Sequence, residues 1–381
     1  MIDPIDLTGA LVRCPSVTPN DGGCFDVLEP ILRDHGFEIF RADRGAIKNL
    51  VARFGPKGAN RMFGFNGHID VVPPGDAVLW THPPFSATIA DGKLWGRGAC
   101  DMKSGVACFV AAACDYVTAH PDAAILLTIT GDEEADATDG TPAILDWMAA
   151  NGETMTACLV GEPTCPNTMG EMMKIGRRGS MNAKFVAHGT QGHSAYPYRA
   201  KNPVHAMAAL LHGLTSEPLD HGSATFEPST LAVTTFDTGN TVGNVIPAEC
   251  RAALNIRFND LHTSARLAEM LRQRADAITT DTGVTFDMQI HVSGESFVTP
   301  PGALSDLVSK AVKAEMGITP ELSTSGGTSD ARFIKAHCPV VEFGLVGQSM
   351  HKFDEHVALE DVMKLKAIYT RILTDWFNEA A

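Results

Sequence analysis

The feature that most constrains this chain is a change in the order of its elements near Gly179. Before it, apolar runs alternate with helical patterns. Residues 21–36 carry Phe25, Leu28, Ile31 and Leu32 at helical spacing and stop at Gly36. Short apolar strands are expected at 49–54, 62–65, 124–130 and 158–160, with helices at 102–118 and 141–150. Such alternation predicts a mostly parallel sheet that binds ligands beyond the carboxyl ends of its strands. From Gly179 the order becomes strand 181–188, helix 202–214, strands 229–237 and 248–258, helix 262–278 and strand 284–292. That is the split βαββαβ order of a two-layer, ferredoxin-like unit. Alternation resumes after Gly294, with helix 302–316, strand 339–343 and a last helix from Leu359. The expectation is an α/β protein in which residues 1–178 and 294–381 form one domain and 179–293 are inserted. A chain of 381 residues exceeds what one core usually serves.

Charge and cysteine usage exclude several classes. The formal net charge of −15, with no basic stripe, argues against a nucleic-acid or anionic-membrane partner. No apolar run approaches a membrane span, and the start Met1-Ile2-Asp3-Pro4 has neither region of a signal peptide. The nine cysteines are scattered without a C-x-x-C pair, which fits reduced thiols. A cytoplasmic location is expected.

Candidate chemistry lies in an ordered set of histidines and carboxylates. His68 and Asp70 end an apolar strand, two residues apart and so on one face. Asp101 follows a glycine-loosened turn and precedes the apolar run 106–113; Glu133, Glu134, Glu162 and His351 each stand in a loop. One carboxylate can span a pair of divalent cations, and Asp101 suits that bridge. His68 and Glu162 then complete one site, and Glu134 and His351 the other. His356 is a rival to His351. Asp70 is expected behind His68, its carboxylate accepting the second ring proton. Neighbouring side chains in extended backbone point opposite ways, so Glu134 ligates while Glu133 works as general base on the water.

The stretches His68 to Pro73, Gly96 to Lys103, Asp132 to Glu134, Gly161 to Pro163 and Met350 to Lys352 resemble the di-zinc aminoacylase and carboxypeptidase superfamily. More narrowly, residues 132–141, 174–180 and 325–332 are similar to the bacterial succinyl-diaminopimelate desuccinylase family. The resemblance spans nearly the whole chain. It implies hydrolysis of N-succinyl-LL-2,6-diaminopimelate by a water activated by two Zn2+ per subunit, with Co2+ able to substitute, in diaminopimelate and lysine biosynthesis. It also implies a cis peptide after Asp101, and an inserted domain that is both lid and homodimer interface. By motif position, Arg177, Ser180, Tyr196, Asn244, Arg257, Gly327 and Thr328 resemble substrate contacts, suited to a small polycarboxylate. His193 resembles an oxyanion-stabilising histidine. The loop 346–349 lacks a charged side chain, which leaves its substrate contact open.

An acetylornithine deacetylase or general aminoacylase would share every ligand, and only residues 177–180 and 326–330 speak against it. A non-catalytic metal-binding scaffold has no use for Glu133 beside a full ligand set. A nucleotide-binding oxidoreductase lacks its G-x-G-x-x-G after the first strand.

Overall fold

The first helix, Pro4–Val12, begins where Asp3 accepts the N–H groups of Ile5 and Asp6 and a proline fills the first turn, where its missing N–H costs nothing. In this computed structural model, which describes residues 1–378, contacts divide the chain into two units. One comprises Met1–Ile175, Thr299–Ser323 and the chain from Ser329 onward; the other comprises Gly176–Val298 with Thr324–Thr328.

The first unit is built on an eight-stranded mixed sheet. Its centre is parallel: Ile125–Thr130, Phe63–His68, Ala157–Val160 and Val340–Glu342 lie side by side in that order. Every residue of these four strands is buried, which is why they are mostly apolar and do not alternate with exposed polar residues. The antiparallel pair Leu50–Phe54 and Glu38–Arg41 extends one side, and Met172–Lys174 and Glu321–Ser323 the other. Helix Ser104–Ala119 covers one face, where Phe109 stacks on Phe65 with ring centroids 4.1 Å apart. Helix Leu359–Asn378 packs beside it, and its Tyr369 hydroxyl donates to the Phe343 carbonyl at 2.7 Å. Three strands of three residues each, Thr88–Ala90, Lys93–Trp95 and His356–Ala358, form a separate antiparallel sheet. Helices Cys24–Asp34, Thr141–Asn151 and Ala303–Met316 lie within three residues of their expected limits, and a four-residue helix, Ala331–Ile334, is added to them.

The second unit has the βαββαβ order. Strands Gly179–His188, Thr230–Asp237, Glu249–Phe258 and Thr285–Gly294 form an antiparallel sheet in which Gly179–His188 and Glu249–Phe258 are central. Along Gly179–His188, Met181, Ala183, Phe185 and Ala187 alternate onto one face and meet Leu210, Leu214, Leu267 and Leu271 from the helices Pro203–Thr215 and Ser264–Thr282. Strand Thr230–Asp237 lies at the sheet edge and is exposed along most of its length. The register sets Ser180 opposite Arg257 and His188 opposite Glu249, so these pairs mark the two ends of the sheet.

Candidate metal centre

The central strands of the first unit end together, and the loops beyond them carry the expected ligands, as the fold class demands. His68 is the last residue of its strand; Glu133 and Glu134 follow Thr130, and Glu162 follows Val160. Gly105 lies in the first turn of the helix beside them, where a Cβ would stand 2.4 Å from the Gly161 carbonyl oxygen, so only glycine lets that helix approach.

Asp101 lies at the middle of this arrangement. Its Oδ1 is 3.2 Å from His68 Nε2, and its Oδ2 is 3.3 Å from His351 Nε2. His68 Nε2 is also 3.8 Å from Glu162 Oε1, and His351 Nε2 is 3.1 Å from Glu134 Oε1. The donor atoms thus form two groups, His68 with Asp101 and Glu162, and Asp101 with Glu134 and His351, each within 4.8 Å. His351 reaches the group from a left-handed backbone, φ 60°, and its side chain is 49 % exposed. The Asp101–Met102 peptide bond is cis.

With its Nδ1–H given to the Asp70 carbonyl, neutral His68 has an acceptor at Nε2 facing the Asp101 carboxylate, so that contact needs a proton or a metal cation between the two atoms. The titration behaviour says the same. Burial opposes charge on His68, yet Asp101, Glu162 and Asp70 lift it well above its ordinary range. The hydrogen bonds to Asp101 and Glu134 push His351 up to about 10. Burial likewise opposes the Asp101 charge, and the two histidines outweigh it and hold the carboxyl low. The nitrogen and oxygen donors suit a divalent cation in each group, with Asp101 common to both.

Asp70 departs from expectation. Its strand has already ended at His68, so the two side chains do not share a strand face. His68 Nδ1–H donates to the Asp70 backbone carbonyl at 2.9 Å, while the carboxylate lies 3.6 Å from that nitrogen. The carboxylate is taken up by the backbone N–H groups of Glu133, at 3.1 and 3.2 Å, and of Glu134, at 3.1 Å. Burial pushes the Asp70 carboxyl up to about 6.

Glu133, its side chain 12 % exposed, has Oε1 3.8 Å from the Arg332 guanidinium. Burial first, and the Glu162 charge second, raise its carboxyl well above the usual range. His356 stands apart, its Nε2 3.0 Å from Lys93 Nζ and its ring on Trp95, and it joins neither donor group. In the loop 346–349, Gln348 donates to Asn167 and Ser349 to the His356 carbonyl, contacts internal to the unit.

Sequence reasoning missed Glu355. This buried carboxylate accepts from Arg97 Nη1 at 2.6 Å and from the backbone N–H groups of Gly98, Cys100 and Asp101 at 3.0, 2.8 and 3.1 Å. It therefore fixes the turn that presents Asp101. A lone glutamate just before a three-residue strand carries no periodic signal that could have singled it out.

The expected substrate contacts fall in two clusters of the second unit. Arg177 pairs with Phe297 on a two-residue strand, and its Nη1 lies 3.5 Å from the Ser325 carbonyl. Gly326 is tight against it, since a Cβ there would meet Arg177 Nη1 at 2.5 Å, whereas Gly327 has open space. Thr328 belongs to the same short segment, and Ser180 faces Arg257 across the sheet. His193, Tyr196 and Asn244 gather at the opposite end of the sheet. His193 pairs with Val245, its Nδ1 accepts the Ala195 N–H at 3.1 Å, its ring lies 5.7 Å from that of Tyr196, and the Asn244 carbonyl accepts the Ser194 N–H.

Comparison with known proteins agrees with this architecture. A succinyl-diaminopimelate desuccinylase of Cereibacter sphaeroides is 65 % identical over 377 residues, covering 99 % of each chain. Among solved structures, an M20 family metallo-carboxypeptidase from Sulfolobus solfataricus aligns with TM-score 0.79 at 16 % identity, over 99 % of both chains. A dinuclear metal-binding peptidase of the M20 family from Bacillus subtilis aligns with TM-score 0.72 at 16 % identity, over 98 % of this chain and 97 % of that one. Peptidase family M20/M25/M40 matches residues 64–375, and the chain belongs to that family.

Proposed function

We propose that this chain hydrolyses N-succinyl-LL-2,6-diaminopimelate to succinate and LL-2,6-diaminopimelate, a step of lysine and diaminopimelate biosynthesis. The substrate rests on the full-length 65 % identity to the Cereibacter sphaeroides protein of that name. The observation that carries the chemistry is Asp101, which offers one carboxylate oxygen to each of two donor groups.

In this reading His68, Asp101 and Glu162 hold one zinc ion, and Asp101, Glu134 and His351 a second, with cobalt able to substitute because nitrogen and oxygen donors accept both. Bound there, the ions would acidify a water and polarise the amide carbonyl. Glu133 accepts the proton of the attacking water on its carboxylate and returns it to the amide nitrogen as the C–N bond breaks. Asp70 holds the backbone of Glu133 and Glu134 in place, and Glu355 holds that of Asp101. Arg177 and Arg257 take substrate carboxylates by paired guanidinium hydrogen bonds, aided by Ser180, Gly327 and Thr328.

His193, Tyr196 and Asn244 act on the active site of a partner subunit. Support comes from the sheet itself. Eight residues separate Ser180 from His188 along one strand, roughly 26 Å at its usual rise, more than the length of the substrate. A separation of that order along one chain favours delivery of the second cluster from a partner subunit. His193 has Nδ1 occupied as an acceptor, which leaves Nε2–H to donate to the carbonyl oxygen as negative charge grows there. Residues 179–293 work as lid and homodimer interface, and strand Thr230–Asp237 favours pairing between copies, having no proline and no charge before Asp237. A cytoplasmic location is supported by nine free cysteines; no described helix is long and apolar enough to cross a membrane.

The test is turnover of purified, metal-loaded protein on succinyl-diaminopimelate beside acetylornithine. Faster hydrolysis of acetylornithine would overturn the substrate; hydrolysis of neither would favour a non-catalytic role.

A further inference from the structure

A buried guanidinium is costly unless its N–H groups find acceptors, and Arg332 carries that cost openly. Its side chain is 8 % exposed. Its Nε and Nη1 are buried, and neither has a hydrogen-bond partner among the described residues. Arg53, Arg61, Arg97 and Arg178 each leave only Nε in that condition, so Arg332 is set apart by its terminal nitrogen. That same Nη1 lies 3.8 Å from Glu133 Oε1.

The chain around Arg332 is tied from two sides. Arg332 stands in the one-turn helix Ala331–Ile334. Just before it, the Ser329 hydroxyl donates to Glu342 Oε1 at 2.7 Å, at the end of a central strand, and Asp330 Oδ2 accepts the Thr141 hydroxyl at 2.7 Å. Ser329, Asp330, Glu342 and Thr141 are all buried. The Arg332 N–H closes on the Ser329 carbonyl at 3.1 Å, and the guanidinium lies 4.4 Å from the centroid of the Phe333 ring. Glu133 and Arg332 belong to the same unit of the chain, so their approach does not depend on where the inserted unit stands.

Glu133 shows the complementary need. Its backbone N–H is fixed by Asp70, but among the described residues its carboxylate accepts no hydrogen bond, and its ion pair is with Arg332. A fixed backbone leaves the side-chain torsions of a glutamate unset. A carboxylate that must take a proton from one water and deliver it to one nitrogen gains from being held, because a misplacement of about 1 Å can cost roughly 100-fold in rate.

We infer that Arg332 is the positioning residue of Glu133: during turnover its Nη1–H closes onto Oε1 and holds that oxygen, so that Oε2 alone faces the attacking water. The present 3.8 Å exceeds a charge-assisted hydrogen bond by about 1 Å, and such contacts commonly tighten only when substrate is bound. The proton of the water passes to Oε2 and from there to the amide nitrogen, while Arg332 keeps all of its protons throughout. This inference rests on the role of general base proposed above for Glu133. The rival occupant of the unpaired N–H groups is a carboxylate of the substrate, which would make Arg332 a binding residue instead.

The test compares metal-loaded Arg332→Gln and Arg332→Lys, each alone and combined with Glu133→Gln, on whichever of succinyl-diaminopimelate and acetylornithine is hydrolysed faster. Metal content, thermal unfolding, kcat and KM are measured together. Arg332→Gln should keep both metals and lose about 10- to 100-fold in kcat, with KM changed by no more than about two-fold. Arg332→Lys should recover part of kcat, since an ammonium still offers Oε1 a donor without the planar fork. Added to Glu133→Gln, Arg332→Gln should cost no more than about a further two-fold, because the placement of a side chain that carries no proton no longer matters. A raised KM at unchanged kcat would give the guanidinium to the substrate and overturn the inference, as would loss of metal or losses that multiply in the double variant. Should Arg332→Gln fail to fold, because buried Asp330 loses the charge that bears on it, the same cycle on Arg332→Lys decides. Wild-type turnover in Glu133→Gln alone would strike the base itself, an outcome distinct from multiplying losses in a slow Glu133→Gln enzyme.

Discussion

Both carboxylate oxygens of Asp70 accept the backbone N–H of Glu133, at 3.1 and 3.2 Å, and one of them also accepts that of Glu134. One side chain thereby sets the position of two neighbours with different proposed tasks. Asp70→Asn should disturb both, because the amide NH2 would face an N–H. The expected effect is about 10- to 100-fold on turnover or metal affinity with the fold retained. Zinc titration and steady-state rates decide it, and wild-type values in both would remove Asp70 from the machinery.

Glu133→Gln keeps the shape of the side chain and removes the proton transfer proposed for it. It should retain two metals while turnover falls at least roughly 100-fold. Asp101→Ala should do the reverse and empty both sites, since each histidine group depends on one of its oxygens. Metal analysis beside kinetics separates the two, and full two-metal occupancy in Asp101→Ala would refute the bridge.

Arg177→Lys preserves charge and loses the planar fork. The expected result is a raised KM for succinyl-diaminopimelate, and unchanged kinetics would remove Arg177 from substrate binding.

Asp220 offers a test of stability in the second unit. Burial works against its charge, but hydrogen bonds from Ser229, Gly222 and Asn259 outweigh it and hold its carboxyl well below the usual carboxylate range. A depressed folded pKa gives stability that is present above the unfolded value, about 3.9, and is lost as pH falls through the folded one. Asp220→Asn should therefore cost about 1 to 3 kcal/mol at neutral pH, and the gap to wild type should narrow below about pH 4. Hydrogen exchange in Glu249–Phe258 measured across pH reads this directly, and a gap independent of pH would contradict it.

The partner-subunit role of His193 is tested by mixing lesions. In a heterodimer of His193→Ala and Glu133→Gln chains, one active site would receive both lesions and the other neither. Two inactive parents should then regain activity approaching half of wild type. Purified heterodimers with full metal and no recovery would place His193 in its own chain's site.

The gathering of His68, Asp101, Glu134, Glu162 and His351 was legible because each follows an apolar run or a glycine-bearing turn, and such boundaries survive in a single sequence. The ferredoxin-like order was legible for the same reason, its strands being long enough to alternate. The helix Pro4–Val12 escaped despite its Asp3 cap, because buried residues surround it too widely to leave a clear stripe. The three-residue strands around Trp95 are too short to show a period. The Asp70 carboxylate was misplaced because spacing by two implies a shared face only while the strand lasts. Glu355 acts through backbone N–H groups far away in sequence, and such contacts leave no mark on the neighbouring residues.

Strand Thr230–Asp237 also bears on how the protein is handled. Its outer row of N–H and C=O groups is open, and Val233 and Phe236 are exposed on it. In the homodimer proposed above, a copy separated from its partner would carry an open margin with no lysine or proline to blunt it. Under that proposal, treatments that separate the copies without unfolding them should be followed by growth of larger assemblies through that margin, faster at higher protein concentration, which light scattering can follow.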